Sequence, residues 1–226
     1  MVRWLTCIVL LSGLVASAAS AHDLSADNAA YVQNLTGPAF LPFMYFGAKH
    51  MFTGYDHLLF LLGVIFFLHR PRDIVLYVTL FTVGHSLTLV LGVAMDWRIS
   101  SHLVDAIIGL SIVYKGFENI GGFRVLFGYE PDTRLAVMVF GLCHGLGLAT
   151  RLQTYVDDGD GLWVNLLGFN VGVELGQLLA LGLILSPLLF WRRSTGFNGQ
   201  AFAVNTLLMA AGFTLAGYQF TGYLLS

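Results

Sequence analysis

The 226-residue chain is 57% hydrophobic and only 11% charged, with a formal net charge of −2 and a mean hydropathy of +0.76. Globular chains carry about 25% charged residues, so this chain has too few charges to solvate every face, and it reads as a membrane protein. The net charge also argues against nucleic acid, which requires a basic face.

The first 21 residues, MVRWLTCIVLLSGLVASAASA, place Arg3 before an apolar core from Leu5 to Val15 and end in small residues. That pattern predicts a secretory signal peptide cleaved after Ala21. Cleavage would free an amine on His22, which can chelate through amine and imidazole together, so His22 is a weak candidate ligand. Residues 22–40 are expected to form a periplasmic N-terminal segment and residues 41–226 the transmembrane domain. Of the two cysteines, Cys7 falls in the signal and Cys143 in a hydrophobic segment, which leaves no intramolecular disulfide.

Six hydrophobic segments follow, at about 53–69, 73–95, 102–119, 135–151, 163–190 and 202–224. A helix needs around 20 residues to span the hydrocarbon core; the first and fourth are slightly short, and residues 40–52 can extend or flank the first. The predicted fold is an all-α membrane protein, a bundle of six transmembrane helices with the mature N-terminus and the C-terminus both periplasmic. A cleaved signal puts the mature N-terminus outside. The inner loops then hold Arg70, Arg72, Arg124, Arg134, Arg192 and Arg193, against Lys49, Arg98 and Arg151 outside, in agreement with the positive-inside rule. Asp157, Asp158 and Asp160 form an acidic outer loop. The glycines of "FGLCHGLGLA" and "FNVGVELGQLLALG" suit close helix packing.

Ionisable side chains inside a bilayer cost roughly 2.5–3.5 kcal/mol or more and mark sites. His57 follows the start of segment one, His85 lies on segment two, His144 on segment four and Glu174 on segment five. Asn170, Glu174 and Gln177 share a helical face by spacing. Ser86 adjoins His85, and segment three carries Asp105 near its outer end and Lys115 and Glu118 near its inner end. At about 1.5 Å per residue, His57 lies roughly 6 Å below the outer surface, His144 about 10 Å, and His85 and Glu174 about 15 Å. Four helices thus direct ligands into one half of the membrane. Imidazoles with one or two carboxylates point to a borderline transition ion.

The stretch "HMFTGYDHLL" opens with His50 and reaches Asp56 and His57. On a continuous helix the two imidazoles share a face about 10.5 Å apart along the axis, too far for one ion with bonds of about 2.0–2.1 Å. They then form two stations, His50 at the surface and His57 with Asp56 further in; Gly54 permits a break. "FTVGHSLTL" and "FGLCHGLGL" share F-x-x-x-H-x-L-x-L, which makes His85 and His144 counterparts in a weak parallel repeat.

With "LSIVYKGFEN" and "FNVGVELGQL", these motifs resemble the HupE/UreJ family over residues 44–190. Its members are regarded as hydrogenase or urease accessory proteins and nickel permeases. The resemblance implies metal transport across the bacterial inner membrane, with His50, Asp56 and His57 among the residues needed, and metalloenzyme maturation proteins as partners beside the lipid bilayer. The nickel-permease branch carries a motif resembling F-H-G-x-[AV]-H-G-x-E. Aligned on His144, this chain has Phe140 for its first His and Gly147 for its Glu. Nickel is therefore joined by copper, cobalt, zinc or iron as the transported ion, with no permanently bound cofactor. The expected function is a non-enzymatic permease with metal ligands His50, Asp56, His57, His85, His144 and Glu174, and with Asn170, Gln177, Ser86, Asp105 and Glu118 lining the cavity. A metal-insertion accessory protein is the alternative, and an intramembrane metal-dependent hydrolase a more distant one.

Overall fold

The computed structural model describes residues 37–153 and 161–226. Every element in them is a helix: α1 Phe40–Thr53, α2 Tyr55–Ile65, α3 Pro71–Ala94, α4 Ser101–Asn119, α5 Gly122–Phe127, α6 Thr133–Leu152, α7 Leu162–Arg192 and α8 Phe197–Leu225. Pro71 starts α3 at a position where its missing N–H has no helical partner to lose. The signal peptide, His22 and the acidic triplet Asp157, Asp158 and Asp160 lie outside the described residues.

Four helices are long and apolar enough to cross a membrane: α3, α6 over Thr133–Thr150, α7 and α8. The expected third span, α4, is 19 residues long and carries Asp105, Lys115 and Glu118. The expected first segment is no continuous helix. Gly54, with φ −72° and ψ 94°, ends the 14-residue α1 and caps the 11-residue α2. Only together do α1 and α2 approach the length of α7, along which α1 runs.

Glycines set the helix pairs. Gly168, Gly172 and Gly176 of α7 face the backbone of Phe40, Met44 and Ala48 in that order, so α1 and α7 run parallel. Gly141 and Gly145 of α6 face the carbonyls of Phe81 and His85 on α3, again in parallel. Gly109 of α4 lies against Gly212 and Ala216 of α8, and Gly116 against Asn205 and Met209, which makes that pair antiparallel. With no side chain between them, backbones approach closely enough for dispersion to hold helices together where lipid removes the hydrophobic drive.

Helix α2 sits among these pairs and contacts α4, α7, α8 and α3, with Phe60, Leu61, Val64 and Ile65 buried. Its final turn is held from α7: the Arg192 guanidinium donates to the carbonyls of Ile65, Phe66 and Leu68, the last at 2.8 Å. At the other end Asn165 of α7 accepts from the Ala39 N–H at 2.6 Å. Asn119 ties α4 to α2 and α8 by donating to Gly63 O at 2.9 Å and Asn205 Oδ1 at 2.8 Å. These connections place Arg70, Arg72, Arg124, Arg134, Arg192 and Arg193 at one end of the bundle, where α2, α4 and α7 finish and α3, α6 and α8 begin.

Candidate metal centre

The break at Gly54 builds the site. His50 lies in the last turn of α1 and His57 in the first turn of α2. The change of direction brings their ring centroids to 5.0 Å. Residue 54 has no room for a side chain: a Cβ there would stand 2.7 Å from His57 Nδ1 and 3.1 Å from Asp56 Oδ1. The continuous-helix reading, with His50 and His57 as separate stations, is therefore corrected in its geometry.

His57 is the hub. Its ring centroid is 4.8 Å from that of His144 on α6 and 6.1 Å from that of His85 on α3. One ligand atom each from His50, His57 and His85 lie within 4.8 Å of one another, and the same holds for Asp56, His57 and His144. Asp56, His57, His85 and His144 are buried and His50 is half-buried. The expected differences in depth collapse, because α1 precedes α2 and sets His57 well inside the bundle rather than at its rim.

Hydrogen bonds orient the rings. Asp56 does not reach past its neighbour; its Oδ1 lies 3.0 Å from His57 Nδ1. With the proton on Nδ1, that contact leaves Nε2 as the ligating atom, the usual carboxylate–imidazole arrangement around metals. Asp56 in the first turn of α2 also meets the positive end of the helix dipole. Ser111 of α4 lies 3.3 Å from His144 Nε2. Neither ring nitrogen of the buried His85 has a hydrogen-bond partner among the described residues. Phe60 and Phe81 floor the cluster, with centroids 5.4 Å and 5.0 Å from His144.

Buried imidazoles gathered over an aromatic floor suit a borderline transition ion. The family model described as HupE / UreJ protein matches residues 26–226. The chain belongs to the HupE/UreJ family. Neither the curated proteins nor the solved structures contain a match. Membership and four membrane-length apolar helices make it a membrane protein of a metal-related accessory family.

Not every expected residue of this HupE/UreJ chain joins the cluster. Glu174 is exposed: the glycine stripe at 168, 172 and 176 takes the face of α7 that packs on α1, and residues two positions away turn outward. Asn170 is half-buried and donates to Leu166 O at 2.9 Å, within its own helix. Gln177, 1% exposed, accepts from the Thr82 hydroxyl at 2.5 Å and borders a narrow space that also touches His57. Ser86 is half-buried. Asp105 is buried on α4, facing α6: a Cβ added at Gly147 would stand 3.7 Å from Asp105 Oδ1. Glu118 lies with Lys115 at the arginine-rich end, away from the histidines.

Thr82, Ser111 and the two phenylalanines are neighbours of the cluster that residue type alone does not single out. No spacing signal marks them: Ser111 lies about 120° around α4 from Asp105. Phe140, in place of the branch's first His, packs against Phe60 and Tyr114 at 5.8 Å and 5.1 Å. It is half-buried and apolar where that branch has a donor.

Proposed function

We propose that this HupE/UreJ protein is a permease that conducts a divalent first-row transition ion across the bacterial inner membrane. The observation that carries this reading is the pair of donor triads sharing His57, buried where α1, α2, α3 and α6 meet. Four imidazoles and a carboxylate suit Ni, Co, Zn, Cu or Fe better than Mg or Ca. Two overlapping triads, rather than one closed cage, allow an ion on His57 to be handed from His50 and His85 to His144, while Asp56 holds the shared ring in place. Conduction needs such shared, moderately weak binding. The arginine-rich end is then cytoplasmic, and the ion enters past His50 on the opposite side. The ion is cargo, and no chemistry is performed on it.

The test is uptake of a radioactive metal panel into proteoliposomes holding the full chain. Saturable uptake of one or two ions, abolished by His57→Ala and reduced by His85→Ala, is the expected result. Stoichiometric retention of metal by purified protein with no transport would instead make it a metal-handling accessory protein for a metalloenzyme. Chelator-sensitive cleavage of an amide or ester would make it a hydrolase.

A further inference from the structure

A second polar site lies beyond the aromatic floor, toward the arginine-rich end. A cavity of ≈ 270 Å³ opens there, lined by Lys115, Glu118, Thr133, Tyr77 and Val64 among others. Between it and the histidines a space of only ≈ 10 Å³ is lined by His57, Phe60, Phe81 and Gln177, room for about one water. Val64 and Tyr77 line both. The buried Gln177 Nε2, at the narrow space, has no hydrogen-bond partner among the described residues. Histidine cluster, constriction and cavity therefore adjoin in series along α2.

The wall of the larger cavity holds an ion pair that the histidine site does not use. Lys115 is 4% exposed, and its Nζ lies 2.5 Å from Glu118 Oε2. The Thr133 hydroxyl donates to the other carboxylate oxygen. Both carboxylate oxygens are thus engaged, one by a cation. Buried ion pairs seldom add net stability over apolar residues of similar size, so stability alone does not account for a Lys–Glu pair in a chain that is 11% charged. The geometry is that of a cation site already filled by a cation on a flexible four-carbon tether.

We propose that Glu118 is a second cation station on the exit side and that Lys115 is its built-in occupant. In the resting chain the Lys115 ammonium neutralises Glu118. A divalent ion leaving the histidines through the constriction carries twice the charge, displaces the ammonium, and is held by Glu118 with the Thr133 hydroxyl. Return of Lys115 to the carboxylate expels the ion into the cavity and prevents its return. This rests on the permease reading and adds to it a release step on residues outside the histidine cluster.

The test uses Co(II) and the purified full chain in equilibrium dialysis. Lys115→Met should bind one more Co(II) per chain than wild type, with the absorption of an oxygen-rich site. That extra ion should disappear in the Lys115→Met, Glu118→Gln double variant and persist in Lys115→Met with His57→Ala. If Lys115→Met does not fold, Lys115→Gln keeps a neutral side chain of similar length and carries the same expectation. Folded variants that bind no more Co(II) than wild type overturn the proposal. The permease reading fails separately, if His57→Ala leaves the wild-type Co(II) stoichiometry unchanged. In proteoliposomes Glu118→Gln should slow uptake about tenfold while leaving Co(II) affinity at the histidines within about twofold; unchanged uptake also overturns the proposal.

Discussion

The imidazoles of His50 and His57 meet edge-on, centroids 5.0 Å apart, across the helix break at Gly54. That approach depends on the absence of a side chain at 54, since a methyl group would press on His57 Nδ1 and on Asp56 Oδ1. Gly54→Ala is therefore expected to displace the Asp56–His57 pair and weaken binding at the cluster at least tenfold, about 1.4 kcal/mol. Titration calorimetry with Co(II) or Ni(II) on folded protein checks this. Wild-type affinity in Gly54→Ala would show that the ring positions do not depend on the break.

Burial separates His85 from Glu174. His85 is 1% exposed and faces the hub histidine, whereas Glu174 lies on the outward face of α7. His85→Ala should reduce metal affinity by about tenfold or more, while Glu174→Gln should leave it within about twofold. Parallel dialysis of the two variants decides the matter. An equal loss in both would return Glu174 to the ligand set.

The legible part of this molecule is the part written in composition and residue type. Long apolar runs foretold α3, α4, α6 and α7 to within about two residues at each end, and rare intramembrane histidines pointed to the residues that converge. What could not be read was direction. A glycine at 54 permits either a straight helix or a break, and only the packing of α1 on α7 and of α2 on α4 and α8 selects the break. Glu174 shows the same limit from the other side. Its spacing from Asn170 and Gln177 is compatible with an inward face, yet the glycine stripe two residues out of phase claims the helix interface. Periodicity gives which residues share a face and leaves open which face is buried.

Arg192 closes the far end of α2. Its guanidinium donates to three carbonyls that the end of that helix leaves without helical partners. Charge-assisted bonds of this kind contribute about 1.5–3 kcal/mol, so Arg192→Met is expected to lower the thermal midpoint by several degrees. Arg192→Lys should recover only part of the loss, because a single ammonium cannot reproduce the planar fork. Thermal unfolding in detergent, followed by tryptophan fluorescence, measures both. Full recovery by lysine would show that charge alone acts there.

Glycines in the same helix can be told apart. A Cβ at Gly172 would collide with Met44 O on α1, whereas at Gly182 it would meet nothing within 4 Å. Gly172→Val should cost about 1–3 kcal/mol by overpacking or prevent assembly of the α1–α7 pair. Gly182→Ala should be neutral or stabilise by up to about 1 kcal/mol through helix propensity. Comparing thermal midpoints of the two proteins tests the assignment, and equal destabilisation would contradict it.

Phe140 offers a gain of function. It stands one helical turn before His144, and both rings contact Phe60, at 5.8 Å and 5.4 Å. An imidazole at 140 would add a nitrogen donor beside Asp56, His57 and His144, on the side toward the constriction. An additional donor on one ion favours metals late in the first-row series. Phe140→His is therefore expected to raise Ni(II) affinity about tenfold relative to Mn(II). It should also slow uptake in proteoliposomes, because an ion held more tightly leaves less readily. Competition dialysis with the two ions gives the first quantity, and initial rates of uptake the second. Tighter binding with faster uptake would mean that the aromatic ring at 140, not the affinity of the cluster, limits passage.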